Sequence, residues 1–277
     1  MRLTSGTLIM NDKVEIFSIG TELVSGLVLD TNSHWLAGEI TLAGGDVRRV
    51  TALADDLQAL KEELQAAVDR DARLIITTGG LGPTPDDLTV DAVAAVAGSR
   101  VHTPVEVLED FARRREMSIE EVSTPPRIKM GSIPASATLY LNPVGWAPCF
   151  ATEVNKSLIW SMPGPPREVE GCFTHHIHPV IQDMFSAQSA RLRVYVDSFE
   201  SETSPFMQRV MKEIPAAYLK AYVGQSRENG LPVDIVVRAE DGSDPNLLLE
   251  ETYALFCAVA GEAGKTVTLE PTAPLRD

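Results

Sequence analysis

Residues 75–93 read Ile75-Ile76-Thr77-Thr78-Gly79-Gly80-Leu81-Gly82-Pro83-Thr84-Pro85-Asp86-Asp87-Leu88-Thr89-Val90-Asp91-Ala92-Val93. A β-branched run breaks into three glycines within four residues, turns at two prolines, shows two adjacent carboxylates and resumes at helical spacing, which predicts strand, loop and helix. Glycine lets backbone approach a ligand, and the start of a helix aims N–H groups back at the loop, so the stretch suits phosphate. Asp86 and Asp87 repel a phosphate unless a divalent cation such as Mg²⁺ lies between them. The first expectation is therefore a metal-assisted phosphate site with Asp86 and Asp87 as metal ligands.

Upstream, Val14–Gly20 is β-prone, Asp30-Thr31-Asn32-Ser33 can cap a helix through Leu42, and a strand over Asp46–Leu53 leads to Asp55-Asp56. Leu57, Leu60, Leu64 and Val68 then share one face of an amphipathic helix. Strands alternating with helices predict βαβ crossovers, hence an α/β fold with a mostly parallel sheet sandwiched by helices. Ligands of such sheets bind at the carboxyl ends of strands, where Gly20-Thr21-Glu22 and the Gly79–Asp87 loop both fall. Downstream, helices are expected over 88–97 and 104–116, with Ser123-Thr124-Pro125-Pro126 as an interruption. Short strands follow near 138–141, 148–154 and 157–162, then a closing helix over 168–185. Ser186–Ala190 reads as a linker, and a small α+β unit occupies 191–270. Met1–Asn11 reads as a loose extension with Met10 as an alternative start, and Pro271–Asp277 as a mobile tail.

The 277 residues carry 24 Lys and Arg against 39 Asp and Glu, a net charge of −15, which disfavours nucleic acid and acidic membranes as partners. Residues 191–277 hold nine basic and fourteen acidic residues, opposite to an RNA-binding footprint. Three cysteines, Cys149, Cys172 and Cys257, form no disulfide framework and no metal-ligand spacing, and no segment has the length of a membrane span. A cytoplasmic protein is expected. His175, His176 and His178 read as a solvated helix end rather than a metal site.

Read in order, Gly20–Gly26, Asp30-Thr31-Asn32, Thr77–Thr89, Asn142-Pro143-Val144-Gly145 and Met162–Glu168 resemble the CinA-like, competence/damage-inducible proteins of the wider molybdopterin-binding superfamily. The match spans about residues 14–185. The resemblance implies a CinA-like domain over 12–187 and a KH-type domain over 191–270. It leaves no room for the further C-terminal domain that in longer relatives carries nicotinamide-mononucleotide deamidase activity. It also implies metal-dependent hydrolysis of ADP-ribose or a related nucleotide sugar to AMP and a sugar phosphate, with Mg²⁺ or Co²⁺. Alternatives are molybdopterin binding or adenylylation, and a non-catalytic nucleotide-binding module. Trp146, Cys149 and Met130 depart from the family pattern, and Trp146 would either narrow the pocket or stack on a base.

For hydrolysis, Glu22 is the candidate base and Asp86 and Asp87 complete the catalytic set. Backbone amides of Gly79, Gly80 and Gly82 would hold the diphosphate, while Thr78 and Thr84 orient oxygens. Thr21, Asn32, Pro83, Pro143, Gly145, Gly164 and Glu168 are further candidates for substrate contact, and Lys129 for neutralising charge. A nucleotide-sugar small molecule and a homodimer or other homo-oligomer are the expected partners.

Overall fold

The computed structural model describes residues 12–185, 187–223, 230–240 and 242–269. The expected loose N-terminal extension and mobile tail lie outside the described residues. The chain divides into two compact units, with the main division at Phe185.

In the first unit the elements run β1 (Lys13–Ile19), α1 (Thr21–Val24), α2 (Thr31–Leu42), β2 (Asp46–Leu53), α3 (Leu57–Asp69), β3 (Leu74–Thr78) and α4 (Thr89–Val96). Then come β4 (Val101–His102), α5 (Val105–Arg115), α6 (Ile119–Val122), α7 (Pro125–Met130), β5 (Ile133–Pro134), β6 (Thr138–Tyr140), β7 (Cys149–Val154), β8 (Ser157–Met162), α8 (Pro166–Cys172) and α9 (His178–Met184). One sheet has the order β2-β1-β3-β8-β7-β6. The first four strands are parallel, and β7 and β6 continue antiparallel. The fold is thus the expected mostly parallel α/β sandwich.

Both faces of the sheet are covered, which is why β3 is buried along its whole length. Phe17, Ile19 and Ile75 pack on Leu60, Leu64, Val68 and Val93 at one face. The alternate residues Ile16, Leu74 and Ile76 point to the other face and are equally buried. Asp56 caps α3 by accepting from the Ala59 N–H at 2.8 Å.

Prolines shape the unit differently from the sequence reading. The Pro125-Pro126 interruption is the start of α7, and the closing helix begins at Pro166 rather than Glu168. Proline at the first helical position loses no hydrogen bond and arrives with φ already helical, so it starts a helix as readily as it ends one. The closing helical run also contains a π turn over Phe173–Ile177, just before Pro179. A residue without an N–H cannot continue the regular ladder there. His175 Nδ1 and His176 Nε2 each contact a main-chain carbonyl, of Gly171 and Leu141, at 2.9 Å.

The second unit is a four-stranded antiparallel sheet, order β10-β11-β9-β12, built from β9 (Gln188–Val196), β10 (Ala217–Ala221), β11 (Leu231–Ala239) and β12 (Val267–Leu269). Helices α10 (Glu200–Glu213) and α11 (Pro245–Glu262) supply Met207, Val210, Phe256 and Val259 to its core. β9 starts inside the expected linker, because Gln188 and Ser189 pair with Ala239 and Arg238; a ladder uses backbone groups and tolerates polar side chains. Among the described residues no helix is long and apolar enough to cross a membrane.

Candidate functional site

Parallel pairing fixes where the site forms. Ser18 stands opposite Thr78, and Thr78 opposite Met162, so the loops after β1, β3 and β8 leave the same sheet edge side by side. Together with the start of α2 and the Trp146 segment they enclose a cavity of about 510 Å³, within the range of small-molecule sites. Residues nearly 150 positions apart thereby meet in one wall.

The glycine loop is held by backbone contacts that leave no space for side chains. Gly79 has φ +98°, and a Cβ there would lie 2.1 Å from the Ile19 carbonyl oxygen. Its N–H donates to the Met162 carbonyl at 3.1 Å, and its carbonyl accepts from the Thr89 hydroxyl at 2.7 Å. The Gly79 amide is therefore engaged in the fold, which corrects its expected role as a ligand donor. The N–H groups of Gly80, Leu81 and Gly82 have no acceptor among the described residues, and all three residues line the cavity. Three successive free N–H groups beside a helix start are the arrangement of an anion nest.

The two carboxylates of the loop serve its shape first. Asp87 Oδ2 accepts from Thr84 N at 2.8 Å and from the Thr84 hydroxyl at 2.6 Å, while the same hydroxyl lies against Asp86 Oδ1. Gly82 makes room for this, since a Cβ would sit 2.5 Å from Asp87 Oδ2. The Thr84 hydroxyl holds the Asp86 carboxyl below its ordinary range, ahead of its own backbone N–H and of Lys129. Both aspartates line the cavity. Among the described residues no group of three or more His, Cys, Asp or Glu side chains forms a ready metal cage, so an ion at Asp86 and Asp87 would take its remaining ligands from water or substrate.

The unit that carries this cavity matches the family model described as "Probable molybdopterin binding domain" over residues 15–183. A Pyrobaculum aerophilum protein is 34% identical over 82% of this chain and 86% of its own length. A Halothermothrix orenii protein that carries the name competence-damage inducible is 40% identical over 61% of this chain, and the match covers 40% of that longer protein. The crystal structure of the protein CinA with unknown function from Thermoplasma acidophilum superposes with a TM-score of 0.57 at 28% identity, covering 63% of this chain and 98% of that one.

The chain belongs to the molybdopterin-binding-domain family.

Within this molybdopterin-binding domain the structure sorts the expected site residues. Glu22, Asn32, Thr78, Gly79, Gly80, Gly82, Asp86, Asp87, Gly164 and Glu168 line the cavity, whereas Thr21, Pro83, Thr84, Lys129, Pro143 and Gly145 do not. Thr21 gives its N–H and hydroxyl to Asp55 Oδ2, at 2.8 and 2.9 Å. Lys129 donates to the Asp87 carbonyl at 2.8 Å from behind the loop, so its charge fixes the loop rather than facing the cavity. The Thr78 hydroxyl donates to the Pro163 carbonyl and accepts from Asn32. Asn32 Nδ2 also donates to the Gly164 carbonyl at 2.7 Å, tying three walls together.

Residues that the sequence reading did not place in the site are Asp30, Asp55 and Met130, which line the cavity along with Trp146, the ring expected to narrow the pocket or stack on a base. Asp55 follows β2 at the same sheet edge, a signal available from the strand-end rule. Asp30 caps α2 by accepting the Ser33 N–H at 2.9 Å. Among the described lining residues there are six carboxylates and no Lys, Arg or His. Any negative ligand group therefore meets no basic side chain there and relies on neutral donors, backbone N–H groups among them, or on a cation it brings along.

Proposed function

We propose that this cavity binds a phosphorylated heterocycle of the molybdopterin type, with phosphate on the Gly80–Gly82 amides and the ring toward Trp146 and Glu168. The observation that carries this reading is the row of three unpartnered N–H groups in a cavity whose charged lining side chains are all carboxylates. Backbone donors hold an anion without a basic side chain, and the carboxylates suit a ring rich in N–H groups. Membership of a family described by molybdopterin binding supports the same ligand class.

Titration of the purified chain with a pterin carrying a phosphate monoester, and with the same pterin lacking it, tests the reading. Removing the phosphate is expected to weaken binding about tenfold or more, in line with charged hydrogen bonds of about 1.5–3 kcal/mol. Equal affinity for the two, or no binding of either, overturns it.

A second reading, metal-dependent hydrolysis of the diphosphate of ADP-ribose or a related nucleotide sugar, is favoured by Asp86. Its carboxyl is held ionised beside the nest, with Asp87 next to it and Glu22 in the same wall. These two aspartates would hold Mg²⁺ or Co²⁺, which offsets phosphate charge and helps to ionise water. Release of AMP from ADP-ribose with either metal supports it; no release with both, alongside tight phosphopterin binding, removes it.

A further inference from the structure

Glu168 has a setting that a surface carboxylate in the first turn of a helix does not need. One oxygen, Oε2, accepts from Asn142 Nδ2 at 2.7 Å. Asn142 is 2% exposed and fully engaged: its Oδ1 accepts the N–H groups of Val144 and Gly145 at 2.9 and 2.7 Å, and Nδ2 also donates to the Ala147 carbonyl at 3.0 Å. The carboxylate lies flat on Gly145, where a Cβ would come within 1.9 Å of it. From α5, Arg114 donates to the carbonyls of Gly145 and Asn142, both at 2.7 Å, and pairs with the buried Asp110 at 2.8 Å. The acceptor is thus fixed by packing around it, the condition for a recognition group that loses little entropy on binding.

The other oxygen of Glu168 has no partner among the described residues, and no cation lines the cavity. Burial pushes this carboxyl up from its ordinary range, and the Asn142 bond opposes that push. Trp146 lines the same cavity, packed edge-on against Phe111 at 5.7 Å with the Arg115 guanidinium 4.6 Å from the ring centroid. A flat ring and a fixed acceptor lining one cavity suit a planar ligand whose edge donates.

Resting on the reading of the cavity as a heterocycle site, we infer that Glu168 and Trp146 select the ring. Glu168 accepts from adjacent N–H donors, the 2-amino-4-oxopyrimidine edge shared by pterins and guanine, while Trp146 supplies the face on which the ring lies. Adenine presents a ring acceptor where that edge has a donor, so it would set a lone pair against the carboxylate. A site built to bond a donor rejects an analogue without it more strongly than a hydrophobic pocket rejects a missing methylene.

Three probes that share a ribose phosphate separate the idea from its foundation. Guanosine monophosphate is expected to bind the purified chain about tenfold or more tightly than inosine monophosphate, which lacks only the 2-amino group, and than adenosine monophosphate. Glu168→Gln keeps the shape and an acceptor for Asn142 while presenting an amide to the cavity, and it is expected to bring the guanosine-to-inosine ratio to within about twofold. Equal binding of all three by the unaltered chain overturns the ring-edge inference and leaves the cavity reading standing. Binding of none overturns both. A full ratio retained in Glu168→Gln assigns the selection elsewhere and also overturns the inference.

Discussion

The two walls of the cavity are built on opposite principles. The Gly79–Asp87 wall is backbone: at its glycines a carbonyl, a hydroxyl and a carboxylate occupy the space a Cβ would take, and the groups it leaves without an acceptor are N–H groups. The Asn142–Glu168 wall is side chain: a buried amide, an arginine, a carboxylate and an indole, and what it offers is an acceptor and an aromatic ring. The first wall is fixed by what surrounds the chain, the second by what the chain reaches for. A side chain added at a glycine of the first should therefore act on folding, and one added at Gly145 of the second on selection.

Gly79→Ala is the strongest way to break that contrast. With φ +98° and a Cβ 2.1 Å from the Ile19 carbonyl oxygen, it should cost about 3 kcal/mol or more in urea unfolding. A cost below about 1 kcal/mol would show that the loop is compliant. Arg114→Ala leaves the buried Asp110 with only the exposed Arg113 and frees two carbonyls, and about 2–3 kcal/mol is expected from the same measurement.

Gly145→Ala sharpens the comparison, because its Cβ meets a movable side chain instead of backbone. We expect a stability cost of only about 1 kcal/mol together with loss of the guanosine-over-inosine preference, as the carboxylate is displaced. Retained preference would mean that the carboxylate has another stable seat. Asp87→Ala removes the acceptor of the Thr84 N–H and hydroxyl, at a cost of about 1 kcal/mol. Under the hydrolytic reading it also abolishes AMP release from ADP-ribose, and unchanged release at limiting metal contradicts the metal role.

The smallest effect is in pH. Burial raises the Glu168 carboxyl from its usual 4.5, so the folded state holds that proton more tightly than the unfolded chain. Its contribution to stability is largest below the usual value and declines as pH rises through the raised one. Unfolding series between about pH 4 and pH 8 should show this decline in the unaltered chain and lose it in Glu168→Gln. Identical slopes would contradict a desolvated carboxyl at this position.

Much of the first wall is legible in sequence. Three glycines, two prolines and two aspartates between a β-branched run and a helical one announce a shaped loop, and the strand-end rule puts Gly20-Thr21-Glu22 at the same edge. The parts that escaped are those whose role depends on direction. Lys129 and Thr84 are as polar as any binding residue, yet both point at the loop and hold it. Asp30 and Met130 entered the cavity from a helix cap and a helix end that carry no local signature of binding.

By itself the sequence determined the alternation of strands and helices, the parallel sheet that alternation requires, and the glycine loop, because periodicity and turn chemistry act over a few residues. Only the tertiary structure decided which amides remain free, which carboxylates are engaged, and that Glu168 shares a wall with Trp146. Those outcomes depend on which groups from distant segments arrive at hydrogen-bonding distance. Gly79 and Gly80 are adjacent glycines in one motif, but β8 brings the Met162 carbonyl to the amide of the first and leaves that of the second without an acceptor among the described residues.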